Sequence, residues 1–178
     1  LGPASGLIDG SADWDECVIA SLTEWNNHLG QTGIQFNAVQ GATKTPDAPD
    51  DINSVFFSND IFGTPFDHSA LAATQTWIYT RDGVDETAET DIIFNDAKPF
   101  NCYRGARAGR DTIDLRRVAL HEFGHAVGLG HPDQDTPPQQ VTAIMNAYVS
   151  DIDALQTDDI QGALTLYGVT VTGIPFPP

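Results

Sequence analysis

His121-Glu122-Phe123-Gly124-His125-Ala126-Val127-Gly128-Leu129-Gly130-His131 holds three of the five histidines in the chain. His121 and His125 stand four residues apart, so a helix stacks them on one face about a turn apart. Two imidazoles in that arrangement can grip one metal ion. Glu122 follows His121 at about 100° round the helix. Gly128 is placed to stop the helix, because glycine accepts the left-handed conformation that ends helices. Gly130 adds a second joint, and His131 can then return as a third ligand. Three histidines with one open position is the layout of a catalytic zinc site, whereas a structural zinc is closed by four ligands. A chance match to the whole pattern in a chain of this length is on the order of 1 in 10⁵. That leaves little room for a plain helix with surface histidines.

The rest of the 178-residue chain suits one domain with a sizeable core. Twenty-five acids oppose 8 bases, for a net charge of −17. Such a surface disfavours nucleic acid and anionic membranes as partners. It keeps the protein soluble, and some of its carboxylates are candidates for calcium or for cationic substrates. No stretch is apolar for long enough to span a membrane. Leu1-Gly2-Pro3 reads as a processed start. Cys17 and Cys102 are the only cysteines; they fit one disulfide of an exported protein, with two unpaired thiols as the alternative.

Residues 13–29 carry an apolar stripe, Trp14, Val18, Leu22, Trp25 and Leu29, and predict a helix capped by Asp13 with Glu16 in support. His28 suits the last turn of that helix. Strands are expected at Ile34–Val39, Ile52–Phe57, Leu71–Tyr79 and Asp91–Phe94. Residues 40–51, 80–90 and 95–111 read as loops. Asp111 or Thr112 is expected to cap the helix carrying the histidines. On that helix Leu115, Ala119, Phe123 and Ala126 form a face turned to the core. Met145, the only methionine, reads as a packing residue. A last helix starts at Thr157-Asp158-Asp159, turns Ile160, Leu164 and Tyr167 inward, and stops at Gly168. Residues 169–178 read as a tail or linker. His68 reads as a surface histidine.

The histidine pattern followed by a downstream methionine resembles the metzincin clan of zinc endopeptidases. Within it the chain is similar to the catalytic domain of matrixins. Trp25 with Ile34-Gln35-Phe36, Pro65-Phe66-Asp67 before Leu71-Ala72, Asp91-Ile92-Ile93-Phe94, and Asp158-Asp159-Ile160-Gln161-Gly162 with Leu166-Tyr167-Gly168 carry the likeness across residues 7–168. The resemblance implies an α+β, zincin-like domain over residues 1–168. It would have a twisted, mostly parallel five-stranded sheet and three helices. An N-terminal part would run to about residue 128, with a small C-terminal subdomain at about 129–168.

The resemblance further implies a secreted, monomeric zinc endopeptidase acting on proteins or peptides. Zinc would sit on His121, His125 and His131, with Glu122 as general base. Met145 would form an apolar floor beneath the ligands. Substrate would lie extended along residues 70–78, and Tyr148 would help wall the pocket for the side chain after the cut. Matrixins also hold a structural zinc, but Ala73 and Ile93 stand where its histidines are expected, so one zinc is expected here. Asp67, Asp91 and Asp96 are candidate calcium ligands, although Lys98 stands in a usually acidic stretch. Pro132 after the third histidine resembles serralysins. In those proteins, however, a tyrosine lies two residues past the methionine, and Tyr148 lies three past. A serralysin-like protease is therefore the alternative within the clan. A zinc-binding module without proteolysis is the alternative outside it, and the intact Glu122 argues against that reading.

Overall fold

The computed structural model describes residues 1–40, 49–107 and 110–169. The first element is helix α1, Trp14–Leu29. Asp13 caps it by accepting from the Glu16 amide at 2.8 Å, and Glu16 reaches back to the Ala12 amide at 2.6 Å. The Glu16 amide in the first turn and the Ala12 amide just before the cap are thereby satisfied, with Asp13 the cap and Glu16 in support as the sequence predicts. Cys17, Val18, Ser21, Trp25 and Leu29 form its buried face.

The principal sheet of the described residues has three strands: β1 (Val55–Ser58), β4 (Ala72–Arg81) and β5 (Val84–Asn95), in the order β1-β5-β4. β1 runs parallel to β5, pairing Val55 with Ile92, and β4 runs antiparallel to β5. The short pairs β2 (Asp60–Ile61) with β3 (Thr64–Pro65) and β6 (Phe100–Asn101) with β7 (Ile113–Asp114) stand apart. The domain is α+β with a mixed sheet, and the described residues do not reproduce a mostly parallel sheet of five strands.

Two segments explain the difference. Ile34–Val39 forms no strand. Its central residue, Phe36, gives its N–H to Asn26 Oδ1 and its carbonyl to Asn26 Nδ2, each at 2.8 Å. A side chain of α1 thus takes the bonds a sheet neighbour would use, while Ile34 and Phe36 pack on the core. Residues 80–90, read as a loop, are instead the far half of a β4–β5 hairpin. Asp82 at φ 53° and Gly83 at φ 80° make its turn; two positive φ values at an Asp-Gly pair suit a tight hairpin. This outer half is mostly exposed, so no apolar alternation marked it as strand, whereas Asp91–Asn95 is buried throughout.

Helix α2, Leu115–Val127, is capped by Asp114, whose carboxylate accepts from the Arg116 amide at 3.2 Å. The cap falls later than Asp111 or Thr112 because Ile113 and Asp114 are first paired with Phe100 and Asn101. The helix is buried on nearly every side. Leu115, Ala119 and Phe123 face the core as expected, and Arg116, Arg117, Val118 and Leu120 are buried too. α1 packs along it: Trp25 Nε1 donates to the Leu120 carbonyl at 2.8 Å and Ser21 Oγ to the Arg116 carbonyl at 2.7 Å. Helix α3, Thr157–Leu166, buries Asp159 and Ala163; Ile160 and Leu164 are half-buried and Tyr167 is exposed, so its inward stripe is turned by one residue from the expected one. Within the expected loops, residues 41–48 and 108–109 lie outside the described residues, as does the expected tail from residue 170. No described helix is long and apolar enough to cross a membrane.

Cys17 on α1 and Cys102 after β6 form a disulfide, with Cα atoms 6.1 Å apart and a separation of 85 positions in sequence. Closing so long a loop restricts the unfolded chain strongly. A Cys17→Ser, Cys102→Ser double variant should lose about 2–4 kcal/mol of stability, read from its denaturant midpoint. An unchanged midpoint would show that the cross-link contributes nothing.

Candidate active site

α2 presents His121, Glu122 and His125 to a cleft of about 780 Å³. One wall is the start of β4, including Ala73 and Thr74; the other is the segment from Ile144 to Ser150. Gly128, at φ 106°, ends the helix and donates to the Gly124 and His125 carbonyls. Only a residue free of a Cβ takes that conformation without strain. The chain then turns back, and His131 comes over the two helical histidines.

The three rings are oriented by their Nδ1 atoms. His121 Nδ1 meets the Ile144 carbonyl at 2.9 Å, His125 Nδ1 the Leu129 carbonyl at 2.8 Å, and His131 Nδ1 the Gln134 Oε1 at 3.1 Å. Each acceptor requires the proton on Nδ1, which leaves a lone pair on each Nε2. The three Nε2 atoms lie 3.0–3.1 Å from one another. Three lone pairs aimed at one point repel unless a cation sits among them. A tetrahedral zinc with bonds of about 2.0–2.1 Å holds its donors about 3.3 Å apart, so the triangle fits zinc to within a few tenths of an ångström. The carbonyl and amide partners behind the rings are the arrangement metal-bound histidines use. Among the described residues this is the one cluster of three or more such side chains that could hold a metal.

Burial favours the neutral form of the two helical rings. It pushes His121 down to about 4, with His131 adding to the effect against the Ile144 carbonyl. It lowers His125 as well. Burial moves Glu122 the other way, raising it above the usual carboxylate range, opposed by His125, the Thr74 hydroxyl and His131. Thr74 Oγ1 donates to Glu122 Oε2 at 2.7 Å. Sequence reasoning missed Thr74, because a threonine in a strand is unremarkable until the strand is laid over α2. It also missed Gln134, three residues after His131, and Asp159.

Asp159 fixes the floor. Its carboxylate accepts from the Ile144, Met145 and Gln156 amides at 2.9, 3.1 and 2.8 Å. Met145 is thereby buried directly under Gly124. Tyr148 lines the cleft at its rim, 79% exposed. Ala73 and Ile93, where histidines of a second zinc site were expected, are direct cross-strand partners and form an apolar pair.

The candidate calcium ligands are not brought together. Asp67 is exposed and held below the usual carboxylate range chiefly by the Ser69 amide and hydroxyl. Asp96 is exposed, and Asp91 is buried in β5. Lys98 Nζ donates to the His68 carbonyl at 2.8 Å, so an ammonium already braces the turn that holds Asp67. The exposed His68 contributes its backbone there.

A Cβ on Gly124 would collide with Met145 Sδ and lie 3.1 Å from Met145 Cε and 3.2 Å from Trp25 Cζ2. Gly124→Ala should therefore destabilise the fold by about 1–3 kcal/mol through overpacking. Met145→Ala in the same chain should recover part of that loss, so the two changes should be non-additive in a melting experiment. Simple additivity would place Met145 elsewhere.

The comparisons with known proteins agree with this geometry. Metalloendoproteinase 1-MMP of Arabidopsis thaliana is 34% identical over 83 residues, covering 47% of this chain and 20% of that protein. Matrix metalloproteinase-25 of Homo sapiens is 31% identical over 150 residues, covering 83% of this chain and 24% of that protein. The chain thus spans about a fifth to a quarter of the length of these curated relatives. A family model described as Matrixin matches residues 9–168, which include the three histidines, Glu122 and Met145, and the chain belongs to the matrixin family.

Proposed function

We propose that residues 1–168 are the catalytic domain of a secreted, monomeric zinc endopeptidase that cleaves proteins or peptides. The observation that carries this reading is the triangle of Nε2 lone pairs beside a buried carboxylate in an open cleft. Matrixins bind zinc, and His121, His125 and His131 would hold it. When bound, zinc supplies a Lewis acid that lowers the pKa of water and polarises a carbonyl. Glu122 accepts a proton from the water that attacks the scissile carbonyl carbon. As the C–N bond breaks, Glu122 returns that proton to the leaving amine. A carboxylate raised by burial is suited to both tasks. Thr74 holds one carboxylate oxygen and leaves the other for the water.

β4 is an outer strand of its sheet, which supports an extended substrate pairing along it. Met145 would be the apolar floor and Tyr148 a movable wall of the pocket. The chain would divide near residue 128, with residues 129–168 as the smaller part. The disulfide supports an oxidising, extracellular setting.

Calcium would sit near Asp91 in preference to Asp67 or Asp96. Among the described residues, Asp91 Oδ2 and the neighbouring Glu89 Oε1 are buried without a hydrogen-bond partner. Burial, despite the Ser54 amide, and then the charges of Glu89 and Asp50 raise Asp91 to about 6. A cation would relieve both orphan oxygens.

Two outcomes test these readings. Zinc-loaded protein should cut a broad peptide library; Glu122→Ala should keep zinc and lose about 10²–10⁴ in kcat, and Thr74→Val should lose less than about tenfold. Full activity in Glu122→Ala would assign the base elsewhere, and an uncut library would leave a zinc-binding module. For Asp91 the folded pKa is raised, so its contribution to stability is present below about pH 4 and lost as pH rises through about 6. Without calcium, Asp91→Asn should gain on the order of 2 kcal/mol relative to wild type between pH 4 and 7. Millimolar calcium should reverse that order at pH 7. A wild-type melting temperature indifferent to calcium would remove the site.

A further inference from the structure

The wall of the cleft opposite β4 has no regular structure of its own. From Ala147 to Leu155 no amide or carbonyl bonds to another backbone group among the described residues. Side chains from elsewhere hold it instead, and two of them grip the chain on either side of Tyr148. Asp133 Oδ1, on the turn that follows His131, accepts from the Ala147 amide at 2.9 Å. Arg107 Nη1, from the connection between β6 and β7, donates to the Val149 carbonyl at 2.7 Å. Both side chains are half-buried, and hydrogen bonds to a charged group are the stronger kind.

The two grips refer the wall to the rest of the site. Asp133 ties it to the turn that carries the third histidine. Arg107 ties it to a loop that is bonded to the wall twice more: the Arg107 amide donates to Asp151 Oδ1 at 2.8 Å and the Gly105 amide to Asp153 Oδ2 at 2.6 Å. That loop is fixed in turn to α2, because Arg117 Nη2 donates to the Gly105 carbonyl at 2.7 Å. Tyr148 stands between the two gripped residues, exposed at the rim of the cleft. Its ring can turn about its own bonds, but a backbone held at residues 147 and 149 leaves its Cα little room to travel.

We propose that Arg107 and Asp133 are positioning residues: they fix the width of the recess that takes the side chain after the cut, and so set how sharply the site discriminates there. The inference rests on the endopeptidase reading and deepens it. Each residue acts through the wall. Small changes of width suffice, since one methylene in an apolar pocket is worth about 10–200-fold in discrimination.

The experiment starts with cleavage-site profiling of the zinc-loaded protein on a peptide library. It continues with kcat/KM for two peptides that differ only after the cut, carrying the best and the poorest apolar residue found. Arg107→Met and Asp133→Ala should each lower the wild-type ratio by about tenfold, with melting curves and zinc analysis showing each variant folded and loaded. A merely weakened fold would slow both peptides alike and leave the ratio in place. Asp133→Asn keeps an oxygen for the Ala147 amide and should restore most of the ratio, although it removes the charge that Asp133 presents to His121. Arg107 also lines the cleft, so Arg107→Met is repeated in Tyr148→Ala, where it should change the ratio little, as for residues that act as one unit. If Asp133→Ala loses zinc, Arg107→Met decides, because its side chain bonds to the wall and to no histidine. A ratio unmoved by the substitutions while the library is still cut overturns the bracing role and leaves the protease reading intact. A ratio as low in Asp133→Asn as in Asp133→Ala, or a full Arg107→Met effect in Tyr148→Ala, assigns the effect to charge or direct contact and overturns it too. An uncut library overturns the protease reading and the bracing role with it.

Discussion

Three hydrogen bonds at the backs of three imidazoles set the chemistry of this molecule. Each takes the Nδ1 proton of a histidine, and each acceptor comes from a different place: the Ile144 carbonyl, the Leu129 carbonyl and Gln134. Their combined effect is to turn three lone pairs inward on one point. Much of the fold is needed to place those acceptors. Leu129 depends on the left-handed Gly128. Ile144 depends on Asp159, whose carboxylate grips the amides of Ile144 and Met145 from the start of α3. Gln134 depends on the short turn that follows His131.

The helix beneath the site is held with matching care. α2 is buried on nearly all sides, so its polar residues must find partners inside the protein. Arg116 is met by Glu24 from α1 and Glu24 in turn holds the Leu155 amide at 2.8 Å, which joins α1, α2 and the approach to α3. Trp25 and Ser21 bond to α2 carbonyls. A helix fixed from so many directions holds His121, Glu122 and His125 in place, as a metal site would require. Arg117, buried beside Arg116, gives Nη2 to the Gly105 carbonyl at 2.7 Å and faces the buried Asp114 carboxylate at 3.9 Å.

The histidine cluster with Glu122 beside it, the stop at Gly128 and the helices were legible in the sequence because each rests on local spacing. Cys17 and Cys102 were legible as a pair only through their number. The sheet was less so. Phe36 alternates like a strand residue, but its bonding was decided by Asn26, ten residues away on a helix. The outer β4–β5 hairpin carries no apolar pattern because it has no core to face, and its Asp82-Gly83 turn was the one available signal. Thr74 and Asp159 act on residues 48 and 14–15 positions distant, and nothing local marks them. Asp91 was one of three candidate calcium ligands in the sequence, and its burial beside Glu89 sets it apart from the exposed Asp67 and Asp96.

The central claim is that His121, His125 and His131 hold one zinc through Nε2 and leave a position open. Zinc titration with X-ray absorption at the zinc edge tests it directly. The account predicts one equivalent of zinc, three nitrogen neighbours at about 2.0–2.1 Å with oxygen completing the shell, and loss of that spectrum in His125→Ala. A sulfur neighbour, a second equivalent bound as tightly, or an unchanged spectrum in the variant would contradict it.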